Sequence, residues 1–384
     1  MIGVIADDLT GAAELAAVGL RYGLRTEILV KGAPSGEADL VCVDTDSRSC
    51  VAEEAGRRAA AAAKTLRAAK ARWIYKKVDS VLRGQVTAEV ESVMKQLRLK
   101  RAFLLPANPS LGRKIQDGRY FIRGRLINKT EFARDPEHPR TSSQVLRLLH
   151  HPQNHPICVN NLNDSLPARG IVVGEAATSQ DVQHWASLWD AGTLSAGGSE
   201  YFGALLAAEK INATPPAGGP STNGTVHREL FVCGTSSQSS RKFVKLERER
   251  GTPVFSLPME LMWSAGFTPG AAEVISQRVV ATFQSRARVI LSVGLPPVRE
   301  ISVARRLADH LVQIAGLVLR QVEVGHIYAE GGATATELVR CMGWARLSVL
   351  RELAPGVATL AIEGNSSQLL TVKPGTYAWP AQWT

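Results

Sequence analysis

The chain has few cysteines, and none of them lies in a metal-binding or disulfide pattern. Its 384 residues include five cysteines, no two of which are spaced as C-x-x-C, and the odd number leaves at least one unpaired. A structural zinc site and a disulfide framework are therefore not expected, and this usage is typical of a reducing cytoplasm. No apolar run approaches the roughly 18 residues that a membrane span needs. The first run, Ile2–Ala6, also lacks the basic flank of a signal peptide, so we expect a cytoplasmic protein.

Two common nucleotide-binding motifs are also absent. The sequence contains no G-x-x-x-x-G-K-[ST] segment, and no G-x-G-x-x-G follows a strand-like run. These absences disfavour the P-loop and dinucleotide-binding folds. None of the eight histidines shows the spacing of metal ligands, so the sequence identifies no metal-binding residue.

The positive charge of the chain is concentrated in one segment. The formal net charge is +10, and between Lys95 and Arg147 thirteen basic residues accompany four acidic ones. Such a segment attracts anions, whether sugar acids, nucleotides or a nucleic-acid backbone. No recognition helix, RNA-binding aromatic motif or zinc finger accompanies the charge, so a small anionic substrate is favoured over nucleic acid.

Short apolar runs alternate with helical stretches along the chain. The clearest strand candidates are Ile2–Ala6, Thr26–Val30, Leu40–Val43, Trp73–Lys77, Ala102–Leu105, Gly170–Val173, Leu230–Cys233, Val289–Val293 and Leu369–Lys373. The clearest helix candidates are Gly11–Tyr22, Val51–Arg72, Gln85–Leu97, Ser239–Arg250 and Glu300–Leu319. This alternation predicts the α/β class, with two three-layer domains and mainly parallel sheets. The Pro- and Gly-rich segment 213–225 predicts a linker, with domains at 1–225 and 226–384.

Acidic residues follow two strands of the first predicted domain. Asp7 and Asp8 end the first strand, while Asp79 and Ser80 follow another and precede Arg83. Ligands of open parallel sheets bind beyond the carboxyl ends of the strands, which makes both places candidate sites. One carboxylate could take a substrate proton or hold a metal-bound water while the other caps the next helix. In the alternative interpretation the first two aspartates only cap a helix, and an Asp79–Arg83 ion pair only holds a turn.

Two further patterns bear on these sites. Lys76 and Lys77 should point to opposite faces of their strand, so at most one can serve a site. The turn-rich basic segment suggests ordered loops or a hairpin over a site, with Arg113, Glu131 and Arg134 as candidate residues.

The second predicted domain has two junctions rich in glycine and hydroxyl side chains, Phe231–Ser240 and Glu330–Glu337. Each follows a strand and precedes a helix. The backbone N–H groups at a helix N-terminus bind anions when small side chains let the ligand come close, and nucleotide phosphates are the expected ligands. The alternative is that both are ordinary tight turns.

Seven segments of the sequence together match one enzyme family. They are ADDLTGA (Ala6–Ala12), KKVDSVLRG (Lys76–Gly84), PANPSLGR (Pro106–Arg113), TEFARDP (Thr130–Pro136), CGTSS (Cys233–Ser237), GGATA (Gly331–Ala335) and VKPGTY (Val372–Tyr377). The likeness covers essentially the whole chain, and the order and spacing of the first four segments are specific. The sequence resembles the four-carbon acid sugar kinases, which phosphorylate threonate- or erythronate-type aldonic acids with ATP.

The resemblance implies an acid-sugar-binding first domain, a nucleotide-binding second domain and an active site in the cleft between them. On the sugar side it implicates Asp7, Asp8, Asp79, Ser80, Arg83 and Arg113. On the nucleotide side it implicates Ser236 or Ser237, Gly331, Gly332, Thr334 and Gly375. We expect Asp8 to lie nearest to the role of catalytic base, with Asp79 second. Arg83 and Arg113 should hold the substrate carboxylate or the transferring phosphoryl group, and Mg²⁺ should accompany ATP.

The chain departs from the family pattern at three places. Ala333 replaces the aspartate of GGDTA, Pro374 removes an N–H donor from the closing glycine-rich stretch, and Glu14 replaces Asp or Asn. The first two motivate an alternative function, a sensor that binds sugar acid and nucleotide without transferring phosphate.

A phosphatase is a further alternative. The strand at Leu40–Val43 runs into D-T-D, which resembles an aspartyl-nucleophile site with Asp44 attacking phosphate, although Ser47 and Arg48 stand where Gly-Thr is expected. A homo-oligomer is possible, and no nucleic-acid or membrane partner is expected.

Overall fold

The computed structural model describes residues 1–135, 137–149, 154–211, 228–264, 266–268, 270–296, 298, 300–375 and 377–380. The chain divides into two compact units, Met1–Pro216 and Ala217–Thr384. The predicted linker 213–225 and the predicted boundary near residue 225 lie outside the described residues. Among the described residues, no helix combines the length and the hydropathy that crossing a membrane requires.

The first unit contains the strands β1 (Ile2–Ala6), β2 (Thr26–Leu29), β3 (Leu40–Asp44), β4 (Ile74–Lys77), β5 (Arg101–Leu105), β6 (Arg113–Gln116), β7 (Arg119–Ile122), β8 (Arg125–Leu126), β9 (Ile157–Asn160), β10 (Gly170–Gly174) and β11 (Thr193–Gly197). Eight of these form one parallel sheet, in the order β2-β3-β1-β4-β11-β5-β10-β9. The central strands are buried along their whole length, as continuous apolar strands covered on both faces should be.

Helices cover both faces of this sheet. They are α1 (Leu9–Arg21), α2 (Ala52–Ala68), α3 (Val86–Leu97), α4 (Val145–Leu148), α5 (Ser179–Ser187) and α6 (Ser199–Ala208). α1 packs on α6, and the alanine-rich α2 packs closely on α3. Short 3₁₀ helices cover Pro109–Leu111, Ile127–Lys129 and Glu131–Arg134.

The basic segment of the first unit forms a small antiparallel sheet of β6, β7 and β8. Asp117 and Gly118 join β6 to β7 and both have positive φ, 50° and 66°. Positive φ at both turn positions is what a tight two-residue hairpin requires, and Asp-Gly is a favoured pair for it. The hairpin prediction is therefore confirmed.

The strands of the second unit are β12 (Glu229–Cys233), β13 (Val254–Ser256), β14 (Arg288–Ser292), β15 (His326–Glu330), β16 (Arg346–Ala354), β17 (Val357–Ile362) and β18 (Asn365–Lys373). They are arranged in the order β13-β14-β12-β15-β18-β17-β16. The helices of this unit are α7 (Gln238–Glu249), α8 (Ala271–Thr282), α9 (Ile301–Leu319) and α10 (Gly332–Cys341), with a 3₁₀ helix at Met259–Met262. The first five strands of the order are parallel, while β16, β17 and β18 form an antiparallel meander. The predicted α/β class with mainly parallel sheets is confirmed.

An aromatic cluster forms the core beneath α7. Phe231 stacks on Tyr328 with ring centroids 4.2 Å apart, and Phe243 of α7 and Trp379 close the cluster. The chain leaves β12 through α7 toward the edge strand β13, whereas it leaves β14 through α9 toward β15 on the other side. Right-handed crossovers in opposite directions place the two helices on opposite faces and open a crevice between the ends of β12 and β14.

Candidate active site

Asp7 lies at the carboxyl end of β1 and is held by Arg48 from the loop after β3. The guanidinium donates from Nε to Asp7 Oδ2 at 2.8 Å and from Nη2 to Oδ1 at 2.9 Å, a bidentate pair. Burial alone would raise the pKa of the Asp7 carboxyl, but the adjacent Arg48 lowers that pKa below its usual value. The pairing of β1 with β3 brings the two together, because Ala6 and Asp44 are register partners at the strand ends.

Asp8 is the N-cap residue of α1. Its Oδ1 accepts from Gly11 N at 2.7 Å, and its Oδ2 accepts from Thr10 Oγ1 at 2.6 Å and from Arg48 Nη1 at 2.6 Å. The capping role predicted for one of the two aspartates thus belongs to Asp8. Its side chain is 11% exposed, against 3% for Asp7 and 8% for Asp79, so Asp8 is the most accessible of the three carboxylates.

Asp79 follows β4, and both of its carboxylate oxygens accept hydrogen bonds. Its Oδ2 accepts from the backbone N–H groups of Val81 and Arg83 and from Arg83 Nε, and its Oδ1 accepts from Arg83 Nη2 at 2.9 Å. The Asp79–Arg83 ion pair considered as a structural alternative is therefore present. Arg48 Nη2 lies 3.9 Å from Asp79 Oδ1, so one arginine lies beside all three predicted aspartates.

Ser80 and Arg113 are in contact with each other. Arg113 Nη1, at the start of the β6–β7 hairpin, donates to Ser80 Oγ, and the Tyr120 hydroxyl donates to the Ser80 carbonyl. The hairpin is thus tied to the loop after β4. Glu131 and Arg134 are exposed, and the neighbouring Asp135 reaches Arg83 at 3.3 Å instead.

The two lysines of β4 point to opposite faces, as predicted. Lys76 Nζ lies 3.0 Å from Glu89 in α3, and Lys77 Nζ lies 3.0 Å from Glu14 in α1. Glu14, the departure from the family pattern, therefore serves as the partner of Lys77. Burial opposes ionisation of Glu14, yet the nearby Lys77 lowers its pKa below the usual value.

Arg48 is the functional candidate that sequence reasoning missed. At the level of the sequence, Arg48 was only an argument against a phosphatase, because the phosphatase pattern expects Gly-Thr where Ser47 and Arg48 stand. The available signal was a basic residue a few positions beyond the carboxyl end of a predicted strand, where ligands of open parallel sheets bind. Burial would lower the pKa of Arg48, but Asp7, Asp8 and Asp79 raise it well above its usual value, so it carries a permanent charge.

Because the pKa of Asp79 is lowered in the folded protein, the unfolding free energy should depend on pH. Burial would raise this pKa, but Arg83 and Arg48 hold it well below the usual value. A carboxyl of this kind stabilises the fold above its unfolded pKa of about 3.9, and the contribution is lost as pH falls toward the folded pKa. We expect the difference in unfolding free energy between the parent and Asp79→Asn to be constant from pH 7 to pH 5 and to shrink below about pH 4. Urea titrations at several pH values measure it, and a difference that grows on acidification would contradict this assignment.

In the second unit, the two predicted junctions and the turn around Gly375, which the resemblance implicated, lie at the ends of three neighbouring parallel strands. Ser237 is the N-cap of α7, accepts from Ser240 N, and donates to the Gly375 carbonyl at 2.6 Å. Gly331, with φ of 103°, precedes α10, and its N–H donates to the Lys373 carbonyl. A Cβ on Gly375 would lie 3.1 Å from Thr235 Oγ1, so the turns after β12 and β18 are in contact.

Thr334 packs against the turn after β12 and so brings the GGATA segment into contact with that turn. It is buried in the first turn of α10, beside Gly234. Gly332 is the first residue of that helix. Ser237, Gly331, Thr334 and Gly375 are thus brought together.

A cavity of about 190 Å³ opens beside these turns. It is lined by Thr235, Ser236, Ser240, Arg241, Val244, Lys245, Arg248, Ser292, Gly294 and Leu295. These residues come from the ends of β12 and β14 and from α7, which is the crevice that the opposite crossovers create. Hydroxyl and basic side chains at this position suit an anionic ligand.

Close packing at Gly234 provides a test of the turn geometry. A Cβ there would lie 2.8 Å from Thr334 Cβ and overlap Thr334 Oγ1. We expect Gly234→Ala to displace α10 and to cost about 1–3 kcal/mol of unfolding free energy. Gly266→Ala is the matched control in the same unit, because the nearest atom to its Cβ would be His310 Cε1 at 3.9 Å. Equal denaturation midpoints for the two variants would show that the turns do not pack this way.

The fold is that of a two-unit α/β protein, and its strand-end clusters are candidate sites for small ligands. The family model of a sugar-binding N-terminal domain matches residues 2–199. A D-threonate kinase of Salmonella typhimurium is 25% identical, over 92% of this chain and 89% of the relative. A 3-oxo-tetronate kinase of Pseudomonas fluorescens is 23% identical, over 98% and 94%. A solved structure of a Haemophilus influenzae protein has the same fold, with a TM-score of 0.73 at 21% identity, covering 100% of this chain and 98% of that one.

The chain therefore belongs to the four-carbon acid sugar kinase family. Its class is that of a phosphotransferase with an alcohol group as acceptor. Membership in this class displaces the phosphatase interpretation of the D-T-D segment.

Proposed function

We propose that the protein is an ATP-dependent kinase that phosphorylates a hydroxyl group of a small aldonic acid of the four-carbon type. The observation that carries the proposal is the gathering of Asp7, Asp8 and Asp79 around Arg48 at the carboxyl ends of β1 and β4. This cluster offers carboxylates to a substrate hydroxyl and fixed cationic groups beside them.

Asp8 is the proposed base. Both oxygens of Asp79 are bound to Arg83 and backbone N–H groups, and Asp7 is held bidentately, whereas Oδ2 of Asp8 accepts from a hydroxyl that could give way to a substrate hydroxyl. In the transfer, the substrate oxygen would form a bond to the γ-phosphorus of ATP while the bond to the bridging oxygen breaks. The hydroxyl proton would pass to Asp8, and ADP would leave.

Arg83 and Arg113 are the proposed partners of the acid's carboxylate or of the transferring phosphoryl group. Arg83 lies in the loop after β4 and Arg113 is the first residue of β6, and each already touches a predicted site residue, Asp79 and Ser80 respectively. A planar guanidinium fork matches a carboxylate or phosphate in shape and charge.

The second unit is the proposed nucleotide site. Its support is the contact among the turns that carry Ser237, Gly331, Thr334 and Gly375, and the adjacent cavity with its hydroxyl and basic lining, which includes Ser236. Within the described ranges, no three His, Cys, Asp or Glu side chains are grouped so as to hold a metal ion. Mg²⁺ often binds through substrate phosphates and few protein carboxylates, so the proposal assigns it to ATP and names no protein ligand.

A substrate panel tests the proposal directly. The purified chain is assayed with ATP and Mg²⁺ against D- and L-threonate, D- and L-erythronate, 3-oxo-tetronate and five- and six-carbon aldonates, with ADP formation and the phosphorylated acid both measured. Phosphorylation of a four-carbon acid in preference to the longer ones is expected. Binding of ATP and acid by calorimetry with no phosphorylated product would replace the kinase by the sensor, the function that Ala333 and Pro374 suggest.

A further inference from the structure

A buried ion pair lies directly beneath the turns of the second unit. Cys233, Glu330 and Lys373 are the last residues of β12, β15 and β18, and they form one row across these neighbouring strands. Lys373 Nζ lies 2.8 Å from Glu330 Oε1, and both side chains are wholly inaccessible to solvent. A charge pair this deep carries a large desolvation cost, and replacing such a pair by apolar residues is often neutral or stabilising. Stability alone therefore does not account for its presence here.

Lys373 holds the turn that follows β18. Its ammonium group donates to the Pro374 carbonyl at 3.0 Å and to the Tyr377 carbonyl at 2.5 Å, and it lies 5.2 Å from the centre of the Trp379 ring. This is the turn in which proline has replaced a residue with an N–H donor. Because the ammonium group binds the carbonyl oxygens of Pro374 and Tyr377, which lie on either side of Gly375, it fixes the backbone at Gly375.

Both partners also reach the N-terminus of α7. Glu330 Oε2 accepts from Ser240 Oγ at 2.9 Å, and the Gly375 carbonyl, placed by Lys373, accepts from Ser237 Oγ at 2.6 Å. Ser240 in addition lines the cavity beside the turns. The ion pair thus connects the turn after β18 to the first turn of α7 through two separate hydrogen bonds.

We infer that Glu330 and Lys373 are positioning residues that set the affinity of the second unit for the nucleotide. The inference rests on the proposed function, because it assumes that these turns bind ATP. Neither side chain is exposed, so neither contacts the ligand. Their effect is to hold the backbone groups and hydroxyls around Gly375 and Ser237 in one arrangement, and each hydrogen bond to the ligand that is lost weakens binding by up to about tenfold.

The test replaces the pair by an uncharged one, Glu330→Gln with Lys373→Met, so that no buried charge is left alone. We expect the KM and the calorimetric Kd for ATP to rise about 10- to 100-fold, as the loss of one or two hydrogen bonds would give. The KM for the acid at saturating ATP should change less than about twofold, since the first unit is untouched. Glu330→Gln with Lys373→Gln, a second uncharged pair whose residue-373 amide can still donate to the Pro374 and Tyr377 carbonyls, should give a smaller rise and serves if the first double variant does not fold.

Arg288→Met is the matched control. Arg288 begins β14, at the opposite end of the sheet from the turns, and pairs with Glu229 at 2.8 Å and Glu247 at 3.2 Å. It should lower the melting temperature without changing the affinity for ATP. If the Glu330 variants lower the melting temperature as the control does but leave the Kd for ATP within twofold of the parent, the inference is wrong. If the parent itself binds no ATP, the proposed function fails, and the inference fails with it.

Discussion

Asp8→Asn should lower kcat by about 10²- to 10⁴-fold, the range that general base catalysis contributes. Asparagine is as good an N-cap as aspartate. The hydrogen bond from Gly11 N to the residue-8 side chain should therefore be retained, and α1 should still begin at Leu9. The variant therefore removes the carboxylate without removing the cap. Turnover with ATP and the preferred acid, measured beside thermal unfolding, separates the two roles.

Asp8→Ala is the matched comparison, because it removes the carboxylate and the cap together. We expect both variants to lose the same turnover, with the alanine variant losing about 1 kcal/mol more stability. If Asp8→Asn keeps full turnover while Asp8→Ala loses it, Asp8 acts only as a helix cap. The aspartate then has the purely structural role weighed from the sequence.

The parallel core of both units was predictable because its strands are short apolar runs with helices between them. β1, β3, β5 and β12 match their predicted positions to within about one residue at either end. Their apolar character does not depend on which neighbour they pair with, since both faces are buried. The meander of β16, β17 and β18 was only partly foreseen. β16 mixes buried, half-buried and exposed positions, and the first three residues of β18 are half-buried or exposed, so the local pattern of these two stretches is weak.

The candidate site was predictable as far as single strand ends could show it. Each of the three aspartates follows a predicted strand within two residues, and this position made it a candidate. The contacts between them could not be read from the sequence, because they depend on strand order. Arg48 meets Asp7 only because β3 lies beside β1, and it approaches Asp79 only because β4 lies on the other side of β1.

Gly84 shows the same dependence on tertiary structure. It has φ of 82°, and a Cβ there would lie 3.3 Å from the Arg48 carbonyl. The sequence identified this glycine only as the end of a motif that opens a helix. In the structure the loop after β4 passes closely over the loop that carries Arg48, and that approach helps to bring the arginine to the aspartates.

Arg48→Met should destabilise the protein by about 3–5 kcal/mol and abolish turnover, because it leaves Asp7 and Asp8 buried without their shared cation. The cost should come from the uncompensated charge, so adding Asp7→Asn to the variant should recover part of the stability but none of the turnover. Arg25→Met is the control in the same unit: it breaks an exposed pair with Asp39 and should cost at most about 1 kcal/mol. Urea denaturation of the parent and the three variants gives the energies, and the coupled assay gives kcat. A loss at Arg48 no larger than at Arg25, with turnover intact, would mean that the three aspartates do not depend on this arginine and that the cluster is not the reactive centre.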